Sequence, residues 1–115
     1  MTVTARFDTE RASRYLQQLC KHFAHKVPAT FDAHHGEVDL PHGRCVLDAD
    51  DGALTIACTA NEREREPLLV KVVAVHLERF AWKETVTLDW QRDGAPATDL
   101  MTKLRAMPDP HKPAE

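Results

Sequence analysis

Apolar residues recur at every second position in six separate stretches of this chain, and that period constrains the fold more than any other feature. Val3, Ala5 and Phe7 alternate with Thr2, Thr4 and Arg6, as in a strand that buries one face only. Val27, Ala29, Phe31 and Ala33 repeat the pattern, a His34-His35-Gly36 turn leads to Val38 and Leu40, and Pro41-His42-Gly43 turns the chain into Cys45, Leu47 and Ala49. Asp50-Asp51-Gly52 then introduces Leu54, Ile56 and Cys58, and Val86, Leu88 and Trp90 make the last alternating run. Strands joined by turns this short are antiparallel.

Two stretches carry the helical period instead. From Ala12 to Lys26, the residues Ala12, Leu16, Leu19, Cys20 and Phe23 share one face, while Arg14, Gln18, Lys21 and His25 fall on the opposite one; a helix must bury the first set. Thr9 is placed to cap its start, Glu10 to complement its dipole and Pro28 to end it. The second helix begins somewhere from Glu62 to Pro67: Asn61 and Glu64 have capping-box spacing, and Pro67 equally suits a first helical position. It runs to about Trp82, with Leu69, Val72, Val73, His76 and Phe80 inward.

The order β-α-β-β-β-β-α-β predicts an α+β fold, a single antiparallel sheet of about six strands with two helices packed on one face. Residues 1–91 are expected to form one domain and 92–115 a C-terminal extension. Within that extension Leu100, Met101, Leu104 and Met107 have the spacing of a docked helical turn or two, and residues 108–115, with three prolines, are expected to be disordered.

The segment ASRYLQQLCKHFAHK, taken with HLERFA at 76–81 and LDWQ at 88–91, resembles the bacterial domain-of-unknown-function family 2218. The resemblance runs from about Ala5 to Gln91. It implies no defined activity, because the family is uncharacterised. Some of its members are similar to domains attached to siderophore-interacting flavin reductases, so the resemblance implies a siderophore or iron context. No flavin-binding segment accompanies it here, and no cofactor is expected.

Charge bounds the partners. The formal net charge is −3, with 29% charged residues, so nothing draws the whole chain to nucleic acid or to an anionic membrane. Between Glu10 and Lys26, however, four cations face one carboxylate, a formal +3 that leaves −6 for the remainder. Cys20, Cys45 and Cys58 are widely spaced at apolar positions, as free buried cysteines are. With no long apolar run of a signal peptide or membrane span, a cytoplasmic protein is expected.

Two sites are candidates. Arg14, Gln18, Lys21 and His25 form an exposed strip along the first helix, suited to an acidic protein partner or an anionic small molecule. His76 lies mid-face on the second helix, where a buried imidazole needs a partner; either it donates to a backbone carbonyl or it lines a pocket between the helices with Arg79, Tyr15, Cys20 and His22. No metal is expected, because Cys20 faces the core while His22 and His25 do not. No P-loop, dinucleotide or nucleophile-elbow motif occurs, and Glu62 to Glu66, alternating with arginine, reads as a solvated helix start. The leading expectation is a binding or accessory domain rather than an enzyme. The alternatives are a small enzyme centred on His76, or a homodimer joined through Val46, Ala53 and Ala57 on the open sheet face.

Overall fold

The computed structural model describes residues 2–107. The residues 108–115, expected to be disordered, lie outside them. The chain forms β1 (Thr2–Asp8), α1 (Ala12–Phe23), β2 (Ala29–Phe31), β3 (His35–Leu40), β4 (Gly43–Ala49), β5 (Ala53–Ala60), a short 3-10 turn (Arg63–Arg65), α2 (Glu66–Phe80), β6 (Gln91–Arg92), β7 (Ala95–Pro96) and α3 (Thr98–Ala106). The strands make one sheet in the order β2-β3-β4-β5-β1-β6-β7, and every neighbouring pair is antiparallel. This is the expected α+β fold, with seven strands rather than about six, and the helical spacing of Leu100, Met101 and Leu104 falls within α3.

Register explains why one face is dry. Val3, Cys58, Cys45 and Val38 stand opposite one another across four strands, and Ala5, Ile56, Leu47 and Gly36 form the next row. All of them are buried. The side chains between them point the other way: Thr4, Ala57, Val46 and Glu37 make one outer row, and Arg6, Thr55, Asp48 and His35 the next. Leu16 and Leu19 of α1 and Leu69, Val73 and Leu77 of α2 join the inward strand residues in one continuous core. Each fully buried Leu or Ile contributes roughly 1.5–3 kcal/mol over an exposed one.

The outer face is laced with charge. His35 bonds Asp48 through Nδ1 at 2.6 Å and Glu37 through Nε2 at 3.0 Å, and these two acceptors raise its pKa from 6.5 to about 9. Arg44 pairs with Glu37 and Asp39, and Arg6 with Asp8. Of the three residues expected to offer apolar area here, Val46 and Ala57 are half-buried, but Ala53 is only 1% exposed and contributes no open surface.

Several boundaries differ from the expectation for physical reasons. α1 ends at Phe23, three residues before Lys26, and the chain unwinds through turns to Val27, whose N–H still reaches the Phe23 carbonyl. Thr9 accepts the Arg11 N–H at 3.1 Å just ahead of the helix instead of capping it, and Glu10 lies outside the first turn. β2 covers only Ala29–Phe31, and Phe31 is 41% exposed because this strand sits at the sheet edge. Glu66 does not belong to a solvated run: it opens α2, is 4% exposed and pairs with Arg92 of β6.

The run Val86 to Trp90 carries no sheet pairing, although its alternation is real: Val86 and Leu88 are half-buried, Trp90 is buried and Thr85, Thr87 and Asp89 are exposed. Together with Lys71, Ala74 and Val75 of α2 and Met101 and Leu104 of α3, these residues line one cleft, so the alternation records one dry side rather than a partner strand. Pairing with β1 begins only at Gln91. Asp93 and Gly94, both at positive φ (53° and 78°), then make the two-residue hairpin to β7. The boundary expected at residue 91 therefore falls inside β6, and Ala97 and Leu100 of the following segment are buried in the common core.

Gly36 is the place where α1 comes closest to the sheet. It reads as a turn residue in the sequence, yet it lies within β3, where an added Cβ would sit 2.5 Å from the Cys20 sulfur. Gly36→Ala is expected to cost about 1–3 kcal/mol in urea unfolding, and that cost should shrink to well under half in a Cys20→Ala background. An unchanged cost would show that some contact other than Cys20 refuses the methyl group. Arg92→Ala strands the buried Glu66 carboxylate and should cost about 3 kcal/mol; a loss below about 1 kcal/mol would mean that the pair is solvated.

Candidate functional site

α1 and α2 lie side by side on the dry face of the sheet, and the surface they share carries the residues singled out from sequence in three separate environments. The first surrounds His76. Its ring is 3% exposed, and Nδ1 donates to the Val72 carbonyl at 2.6 Å, since a carbonyl can only accept. His22 packs against it with ring centres 4.8 Å apart, and Phe23 at 4.9 Å. A groove of about 650 Å³ opens beside these rings, with His22, His25, Lys26 and Arg79 at its polar margin and Val27, Leu40, Pro41 and Val72 along its apolar wall.

Two residues expected in this pocket are elsewhere. Cys20 is fully buried against the sheet, where burial and then the neighbouring Cys45 push its thiol up to about 11; it stays protonated and inert. Cys45 and Cys58 face each other across β4 and β5, and their mutual hydrogen bond, then burial, raises Cys45 well above its ordinary value. Among the described residues no group of three or more His, Cys, Asp or Glu is placed to hold a metal ion.

Tyr15 belongs to the second environment. It stacks on Phe7 and donates its hydroxyl to Glu84, whose carboxylate also accepts from Thr9 at 3.1 Å and from Arg11 at 3.4 Å. The Tyr15 hydrogen bond, reinforced by Thr9 and Arg11, holds the Glu84 carboxyl below its ordinary 4.5. Burial, then Glu84, raises the Tyr15 hydroxyl above 10.0. Glu84 thereby pins the turn after α2, and with it Trp82 and Lys83, to the start of α1.

The third environment is the strip itself. Arg14, Lys21 and His25 are exposed, and Gln18 is half-buried with its Oε1 shielded from solvent and unpaired among the described residues. Arg11, Arg14, Tyr15 and Gln18 meet Phe80, Trp82 and Lys83 across a cavity of about 280 Å³. Trp82 is 74% exposed, and Lys83 Nζ lies 5.1 Å from its ring centre. Among the described residues, Arg14, Lys21, Lys26, Arg79 and Lys83 have no carboxylate within ion-pair distance. The sequence reading names neither Trp82 nor Lys83 as site residues. Their only local signal is an aromatic-lysine pair just past a helix end.

With this geometry in place, likeness to known proteins adds the lineage. Residues 4–91 match the family model described as "Uncharacterized protein conserved in bacteria (DUF2218)". The chain belongs to that family. No curated protein matches it. The chain is similar to one solved structure, the NMR structure of PA4090 from Pseudomonas aeruginosa, at 30% identity and a TM-score of 0.67, over 78% of this chain and 94% of that one. The family match ends at residue 91, so β6, its hairpin and α3 extend past the matched segment almost entirely.

Linkage fixes how the Glu84 cluster responds to pH. A carboxyl whose folded pKa is lowered stabilises the fold above its unfolded value and loses that contribution as pH falls through the folded one. Melting temperature should therefore drop as pH falls below 4.5 towards the lowered folded value, and Glu84→Gln should flatten that limb. An acid limb identical in the two proteins would assign it to other carboxyls, such as Asp32, Asp50 and Asp99, each held low by hydrogen bonds.

Proposed function

We propose that this member of the family is a cytoplasmic binding or accessory domain whose basic face, running along α1 to the end of α2, takes a carboxylate-rich or otherwise anionic partner. The observation that carries this reading is the set of five cations, Arg14, Lys21, Lys26, Arg79 and Lys83, without carboxylate partners among the described residues of a chain whose net charge is −3. Unpaired like charges on one face repel each other in the free protein, and an anion relieves that repulsion on binding. Dipole complementarity explains cations at the end of α1 but not Arg14 in its first turn.

Among the described residues, the groove beside His76 is lined by imidazoles, an ammonium and a guanidinium but by no hydroxyl, thiol or carboxylate side chain, which supports binding over catalysis. Three free, buried cysteines support a reducing compartment, and no helix among the described residues is long and apolar enough to cross a membrane. A carboxylate-rich iron chelate falls within the ligand class, in keeping with the context that family resemblance implies.

Citrate and polyglutamate, titrated calorimetrically at low salt, stand for the two sources of this chemistry. Arg14→Glu with Lys21→Glu should abolish whichever binding the native protein shows and leave the melting temperature close to native, since exposed substitutions change stability by less than about 0.5 kcal/mol. Raising the salt should weaken binding through screening. Unchanged affinity in the doubly reversed protein, or its unfolding, would remove the basis for the proposal.

A further inference from the structure

The cavity between α1 and the turn after α2 differs from the rest of the basic face in three ways that together describe a ligand. Cations converge on it, since Arg14 and Lys83 line it without carboxylate partners among the described residues. The Glu84 carboxylate, which accepts from Thr9 and Tyr15, has its charge offset by Arg11 at 3.4 Å rather than by Arg14 or Lys83.

Its walls are aromatic. Phe80 is half-buried, whereas Trp82 at 74% exposed is the most solvent-accessible large apolar side chain among the described residues. The Glu84 anchor two residues along keeps that ring beside α1 instead of letting the turn swing free. A surface tryptophan held in place at a cavity mouth is a stacking platform for a flat ligand.

Gln18 supplies the third element. It lines the cavity, and the oxygen of its amide is shielded from water with no hydrogen-bond partner among the described residues. A buried acceptor left without a donor is a standing cost that a neighbouring O–H removes when the amide turns towards it. At about 280 Å³ the cavity lies just below the usual lower bound of ligand pockets, near 300 Å³, and so suits one substituted ring rather than an extended chain.

We propose that this cavity binds a small aromatic hydroxy acid, its carboxylate on Arg14 and Lys83, its ring against Trp82 and Phe80, and its hydroxyl donated to the Gln18 amide oxygen. The proposal rests on the anion-binding reading above and narrows it to one ligand class.

Heteronuclear NMR separates the two claims, because the chain has only two tryptophans, Trp82 and the 1%-exposed Trp90. On adding meta- or para-hydroxybenzoate, the Trp82 indole N–H should shift saturably and the Trp90 indole should not. Arg14→Gln should weaken this binding at least about tenfold. Trp82→Ala should remove the preference for benzoate over cyclohexanecarboxylate, and Gln18→Leu the preference for hydroxybenzoate over benzoate, with circular dichroism unchanged in both. If neither hydroxybenzoate shifts Trp82 while the native protein still binds citrate or polyglutamate, the cavity assignment is wrong and the basic-face reading stands. If none of these anions binds, both fall. A Gln18→Leu protein that keeps the hydroxyl preference overturns the role given to that amide.

Discussion

A sheet with only one dry face forces every helix of this chain onto the same side, and the rest of the structure follows from that crowding. α1 leaves the interior strand β1 and must cross to the far edge before β2 can start the run β2-β3-β4-β5 back towards it. It can lie close enough only because β3 offers a glycine under Cys20. α2 then fills the remaining width beside α1, and what is left for the chain after Phe80 is the far flank of α2. There Val86, Leu88 and Trp90 pack with α3 while Lys71 donates to the Leu104 carbonyl at 3.1 Å. α2 is thus covered on two sides, which is why Val70, Val75 and Leu77 are buried along with Leu69, Val73 and His76 of its expected inward face, whereas Val72 and Phe80 are half-buried.

The same crowding creates the candidate site. Two helices of unequal length packed side by side on a twisted sheet do not seal along their whole contact, so openings persist beside His76 at one end and beside Tyr15 at the other. Charge is distributed around them unevenly. Carboxylates are occupied on the outer face of the sheet by Arg6, His35 and Arg44, at the start of α2 by Arg92 and beside α1 by the Tyr15 cluster. The cations of the helix face are left to solvent or to a ligand.

Much of this was legible in one dimension. Alternating residues from Val3 to Cys58 defined the strands β1 and β3 to β5 and which side of each is buried, because a side chain's face in a strand depends only on its parity. Helical spacing placed Leu16, Leu19, Cys20 and Phe23 inward and Arg14, Lys21 and His25 outward for the same local reason. The β6-β7 hairpin went unread: Asp93 and Gly94 suit a two-residue turn by backbone preference, but the strands flanking them are too short to show any period.

What only the tertiary structure decided is whatever depends on which segments meet. Periodicity marks one side of Val86–Trp90 as buried but cannot say whether helices or a strand cover it. A Glu in a charged run carries no local trace of the arginine, 26 residues later, that lets Glu66 go under. Likewise nothing near Tyr15 announces Glu84, 69 residues away, and so nothing in the text of either helix brings Trp82 and Lys83 to Arg14 and Gln18. Local sequence sets burial and charge residue by residue. The pairing of distant groups belongs to the packed chain, because a contact's energy is realised only when both partners are brought together and dried.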